Sequence, residues 1–143
     1  MPRKRIACPQ EAFLSHASAD RAFVKRLAKV MMAHGVRVWF SEAHLLTGED
    51  WHDRIGKALA RCDWFLLVLS PQSVKSKWVK RELLYALQED RYGERILPLL
   101  RKECKYRHLS WTLRSLQFVD FTRGFAEGCQ ALFRRWGLKF RGC

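Results

Sequence analysis

The sequence predicts an α/β domain: an open sheet of five parallel strands with helices on both faces. Three observations carry this. Short apolar runs alternate with stretches of helical period, the pattern of a parallel sheet with crossover helices. The middle run, Asp63–Leu69, is almost uniformly apolar, as a strand covered on both faces must be. The 143 residues suit one domain with a proper core and are too few for two. A single domain is expected over residues 11–143, behind a basic tail at residues 1–10.

Each element has its own reason. Ala12-Phe-Leu14 reads as a short buried strand ending at Ser15-His16. Ser18 or Asp20 can cap the helix that follows, where Phe23, Leu27, Val30 and Met31 form one apolar stripe. His34-Gly35 stops it, with glycine supplying a left-handed cap. Val36–Phe40 is the second strand and runs into a loop over 41–48. Trp51, Ile55, Ala58 and Leu59 carry the second helix, with Glu49 and Asp50 at its favourable N-terminal end.

After the third strand, Ser76 can cap a helix holding Trp78, Val79, Glu82, Leu83, Ala86 and Leu87. Ile96–Leu100 is the fourth strand, which Pro98 places near an edge or a bulge. Residues 101–115 carry no clear period and read as a long loop with one short helix. Leu116–Phe121 is the fifth strand, and Phe125, Cys129, Leu132, Phe133 and Trp136 have the spacing of a last helix.

Composition excludes several classes. No apolar run approaches the ~20 residues needed to span a bilayer. The basic start, Met1–Arg5, is not followed by a secretory apolar stretch, because Pro9, Gln10 and Glu11 interrupt it. A cytoplasmic location and no membrane partner are therefore expected. The five cysteines are widely and irregularly spaced, and no Cys-x-x-Cys or His-Glu-x-x-His occurs, so neither a metal site nor a disulfide framework is expected. Cys62 and Cys129 read as buried thiols, Cys143 as an exposed one, and Trp111 as a packing residue.

The net charge is +13, and residues 101–143 hold ten Lys and Arg against three Asp and Glu. Such a field attracts nucleic acid, an acidic protein or an anionic small molecule. No zinc finger, basic-zipper or RNP-type pattern accompanies it, so a nucleic-acid partner is not expected.

The chemistry-bearing residues converge on one rim. Ligands of open α/β sheets bind outside the carboxyl ends of the strands, here Ser15-His16, Phe40-Ser41, Ser70-Pro71 and Arg101-Lys102. The third helix begins on the same rim. Trp78 and Glu82, four apart, share a helical face, with Tyr85 three further on. A carboxylate bracketed by two aromatic rings suits a cationic, planar, sugar-linked ring. On composition alone, Glu82 among Lys77, Lys80 and Arg81 reads as an ordinary solvated charge. Ser15 and Ser70 lack the partner pattern of a nucleophilic serine.

With Ala12-Phe-Leu-Ser-His16, Leu46-Thr-Gly48, Val68-Leu-Ser-Pro71 and Ser76-Lys-Trp-Val-Lys-Arg-Glu82 in order, the chain resembles a Toll/interleukin-1 receptor (TIR) domain of the prokaryotic type over roughly residues 11–136. The resemblance implies a flavodoxin-like TIR fold. It also implies an enzyme that cleaves NAD⁺ as substrate, by hydrolysis or cyclisation and with no cofactor, in anti-phage defence or signalling. Glu82 falls at the family's catalytic glutamate, with Trp78 four residues before it. Ser15, His16, Ser41 and Trp51 fall at substrate-contacting positions, although Ser41 replaces the aspartate that many relatives carry. Self-association through TIR–TIR contacts and a separate effector or sensor partner are implied as well. The competing expectation is a non-catalytic adaptor that signals by assembly, motivated by Leu45 and Leu46 in the loop after the second strand.

Overall fold

The computed structural model describes residues 8–41 and 48–142, with residues 48–51 described by their backbone alone. Its strands are β1 (Glu11–Ser15), β2 (Arg37–Phe40), β3 (Trp64–Leu69), β4 (Ile96–Leu100) and β5 (Val119–Asp120). The helices are α1 (Arg21–Ala33), α2 (Gly48–Arg61), α3 (Lys77–Gln88) and α4 (Phe125–Arg135). All strand pairs are parallel, in the order β2-β1-β3-β4-β5. The predicted five-stranded, doubly wound sheet is the observed one.

Side-chain alternation along the strands divides the core in two. Ala12, Leu14, Trp64, Leu66, Val68, Leu97 and Leu99 face α1 and α4. Phe13, Phe65, Leu67 and Leu69 face α2 and α3. This period of two is what makes β3 fully buried and apolar at every position. The α1 stripe of Phe23, Leu27, Val30 and Met31 is buried, and Gly35 takes the positive φ of 83° that ends the helix. Ser76 caps α3 as expected, its Oγ accepting from the Val79 amide at 3.2 Å. Cys62 and Cys129 are both buried.

Several expectations are corrected. Neither Ser18 nor Asp20 caps α1 through its side chain. Asp20 is instead fully buried, where it accepts from Ser70 Oγ at 2.6 Å and pairs with Arg101. The fifth strand is only two residues long, because the chain before it turns through 3-10 helix at Trp111–Ser115. Trp111 does not pack: it is 81% exposed.

Pro98 sits in a strand flanked on both sides, yet its position is allowed. Arg95 accepts from Phe65, and Arg101 donates to Leu69, so odd-numbered residues of β4 bond to β3 and even-numbered ones face β5. The β5 ladder begins only at Leu99, so the missing N–H of Pro98 points where no partner strand runs. The exposed thiol expected at Cys143, the first seven residues of the tail, and Leu45 and Leu46 lie outside the described residues.

Candidate functional site

The chain leaves β1 to form β2 on one side and later β3 on the other, so the strand order reverses between β1 and β3. At that switch point the carboxyl ends splay, and a cleft of about 180 Å³ opens. His16, Ala17 and Ser18, just after β1, form one wall with Arg21 of α1. Ser41 follows β2, and Ile55 belongs to α2. Ser76, Trp78 and Glu82, from the cap and first two turns of α3, close the other side.

Glu82 is the chemical centre. The sequence around it is basic and polar, yet its side chain is only 6% exposed, so it is not a solvated surface charge. Ser15 Oγ donates to Glu82 Oε1 at 2.8 Å. Burial raises the Glu82 pKa to about 7, and the Ser15 hydrogen bond acts against that rise. A carboxylate deprived of water in this way is poised to meet a positive charge, which would restore the stabilisation that burial removed.

The other expected site residues fall in different places. Ser15 is 1% exposed and lies behind Glu82, holding it, rather than on the cleft wall. His16 lines the cleft, with Nδ1 3.3 Å from the Leu14 carbonyl and its ring edge-on to Phe40 at 6.1 Å. A carbonyl can only accept, so Nδ1 carries the proton and Nε2 is left as an acceptor. Burial pulls the His16 pKa down, with Arg21 adding a smaller repulsive push, so the ring is neutral at pH 7.

Ser41 lines the cleft. Trp51 lies in the first turn of α2, and its side chain is outside the described residues. Trp78 also lines the cleft, 37% exposed, with the Arg81 guanidinium 5.3 Å from its ring and His52 tilted against it at 6.4 Å. The expected second aromatic bracket is corrected: Tyr85 is exposed and absent from the cleft wall, because it lies two turns along α3 from Trp78 while the cleft is lined by the start of that helix.

Arg21 escaped the sequence reading. It sits among seven other Lys and Arg residues in the first forty positions after Met1, so nothing local distinguishes it. Only the fold brings it to the cleft.

The fold and cleft define a doubly wound α/β domain whose switch-point cleft is lined by one carboxylate, the buried Glu82, among the described residues. The family follows from comparison: the family model described as TIR domain matches residues 12–133, and the chain belongs to that family. It is 36% identical over 101 residues to "NAD(+) hydrolase PdTIR" of Paracoccus denitrificans, covering 69% of this chain and 34% of that protein. It is 32% identical over 95 residues to "2' cyclic ADP-D-ribose synthase BtTIR" of Bacteroides thetaiotaomicron, covering 65% and 33%. The chain thus spans about a third of the length of these curated relatives.

Among solved structures it is similar to the TIR domain of the Toll-related receptor TRR-2 of Hydra magnipapillata. The TM-score is 0.64 at 19% identity, over 77% of this chain and 82% of that one. The TIR domains of the activated Roq1 resistosome match with a TM-score of 0.54 at 17% identity, over 90% and 84%. Both likenesses concern the fold. No helix of the described residues is long and apolar enough to cross a membrane.

Proposed function

We propose that this domain cleaves the bond between nicotinamide and ribose in NAD⁺, with Glu82 as its catalytic residue. The observation that carries the reading is a lone carboxylate, almost wholly buried, at a cleft walled by a tryptophan. The names of the two bacterial relatives, a NAD⁺ hydrolase and a cyclic ADP-ribose synthase, support it.

The chemistry asks for little else. Nicotinamide leaves as a neutral amine from a pyridinium, so its departure needs no proton, and the acid-and-base pair of an O-glycosidase is unnecessary. As the C–N bond breaks, its electron pair goes to the ring nitrogen and positive charge moves onto the ribose as an oxocarbenium ion. Ionised Glu82 stabilises that charge, and does so more strongly because water is excluded around it. Ser15 holds the carboxylate in one orientation. Neutral His16 adds no second cation to repel the pyridinium, and Trp78 offers a ring face to it.

Water attacking the sugar then gives ADP-ribose and releases a proton. Attack by a nucleophile within the ADP-ribose itself gives a cyclic isomer.

A cleft of about 180 Å³ is smaller than the ~300–1,000 Å³ of typical small-molecule sites. It suits the nicotinamide riboside end, with the adenylate half resting outside it. Self-association that lends a neighbouring surface to this half is part of the proposal.

The test is NAD⁺ loss followed by chromatography at high protein concentration, with Glu82→Ala beside the wild type. Cleavage that disappears in the variant, with far-UV circular dichroism unchanged, is expected. Activity that survives Glu82→Ala overturns the catalytic assignment. No cleavage by concentrated wild-type protein overturns the enzyme reading and leaves the assembly module.

A further inference from the structure

Arg21 opens α1 and reaches the cleft from the side opposite Trp78 and Glu82, because α1 and α3 pack on opposite faces of the sheet. The residue is half-buried, and its Nε is shut away from solvent with no hydrogen-bond partner among the described residues. A guanidinium donates only and stays charged, so such an N–H gains nothing from the folded chain.

The nearby carboxylates are already engaged. Asp20, the preceding residue, takes the Ser70 hydroxyl on one oxygen and Arg101 on the other. Glu82 takes the Ser15 hydroxyl. The cleft thus offers a cation with one buried, unsatisfied N–H on one side and a carboxylate on the other.

We propose that Arg21 is the anion-binding residue of this cleft and takes the pyrophosphate of a dinucleotide. The proposal rests on the NAD⁺ reading and assigns an orientation to the substrate within it. A guanidinium fork matches phosphate oxygens in a bidentate way. The same charge repels a pyridinium, so the nicotinamide end is directed to the α3 side and the phosphates to the α1 side. Specificity for nucleotides over nucleosides follows, because a substrate lacking phosphate leaves the guanidinium unsatisfied.

Two measurements test this on wild-type, Arg21→Gln and Arg21→Lys proteins, each first checked for an unchanged circular dichroism spectrum. The first is ADP binding by NMR titration. Arg21→Gln is expected to weaken it tenfold or more, with partial recovery in Arg21→Lys, which keeps the charge and loses the fork. The second compares kcat/KM for NAD⁺ with that for nicotinamide riboside, and the ratio is expected to fall at least tenfold in Arg21→Gln.

Equal ADP affinity in wild type and Arg21→Gln, or no ADP binding by the wild type at millimolar concentration, overturns the proposal. An unchanged substrate ratio does so too. If the wild type leaves NAD⁺ intact yet binds ADP through Arg21, the anion site stands and the cleavage reading falls.

Discussion

Ser15 Oγ donates to Glu82 Oε1 across 2.8 Å, joining the last residue of β1 to the middle of α3 over 67 positions of sequence. Both residues are buried, so the bond operates in a medium where water competes weakly. It is the point at which the fold holds its one chemically poised carboxylate.

The pH dependence follows from Glu82. Its pKa of about 7 leaves it half protonated near neutrality, and only the ionised form stabilises an oxocarbenium ion. The kcat/KM for NAD⁺ is expected to rise with pH along a limb centred near 7 and to level above it. A profile flat from pH 5 to 9 would exclude Glu82 as the ionising group.

Removing the donor should move that limb. Ser15→Ala deletes the hydrogen bond that favours ionised Glu82, so the limb shifts to higher pH and activity at pH 7 drops about tenfold. The limb's position distinguishes this from simple loss of folded protein, which lowers activity equally at every pH.

Glu82 also acts against stability. Its folded pKa lies above its ordinary value of 4.5, so the fold favours the protonated form. Stability is therefore fully present below about 4.5 and is lost as pH rises through about 7. Glu82→Gln, permanently neutral, should exceed the wild type in urea unfolding at pH 8 by on the order of 3 kcal/mol and match it near pH 4. Equal midpoints at pH 8 would mean that burial does not strain the carboxylate.

The buried Asp20 network supports the cleft wall from behind. Asp20→Ala leaves the Arg101 guanidinium and the Ser70 hydroxyl without their acceptor. A loss of about 2–4 kcal/mol in chemical unfolding is expected. Double substitution with Arg101→Met should recover part of it, since the uncompensated charge goes as well.

Close packing beneath the last strand gives a test of the fold alone. A Cβ on Gly128 of α4 would lie 2.1 Å from the buried Phe121 ring, which packs edge-on against Phe23 at 5.1 Å. Alanine ordinarily favours a helix over glycine by about 1 kcal/mol. Here the clash outweighs that gain, and Gly128→Ala should lower stability by about 1–3 kcal/mol and reduce Tm.

The order of strands and helices, the two-faced core and the Ser76 cap were legible in the chain, because each depends on a local period or a local hydrogen bond. So was the pairing of Trp78 with Glu82, since residues four apart on a helix share a face wherever that helix lies. What the chain could not declare by itself was solvation. Glu82 stands among lysines and arginines and is buried; Trp111 is a large aromatic residue and is exposed; Asp20 looks like a cap and is the hub of an internal ion pair. Arg21 is one cation among many until the switch point brings it to the same cleft as Glu82. Periodicity is a property of neighbouring residues and is written in the sequence. Burial, and with it the pKa of Glu82, depends on groups such as Ser15 that arrive from a distant strand, and only tertiary packing decides it.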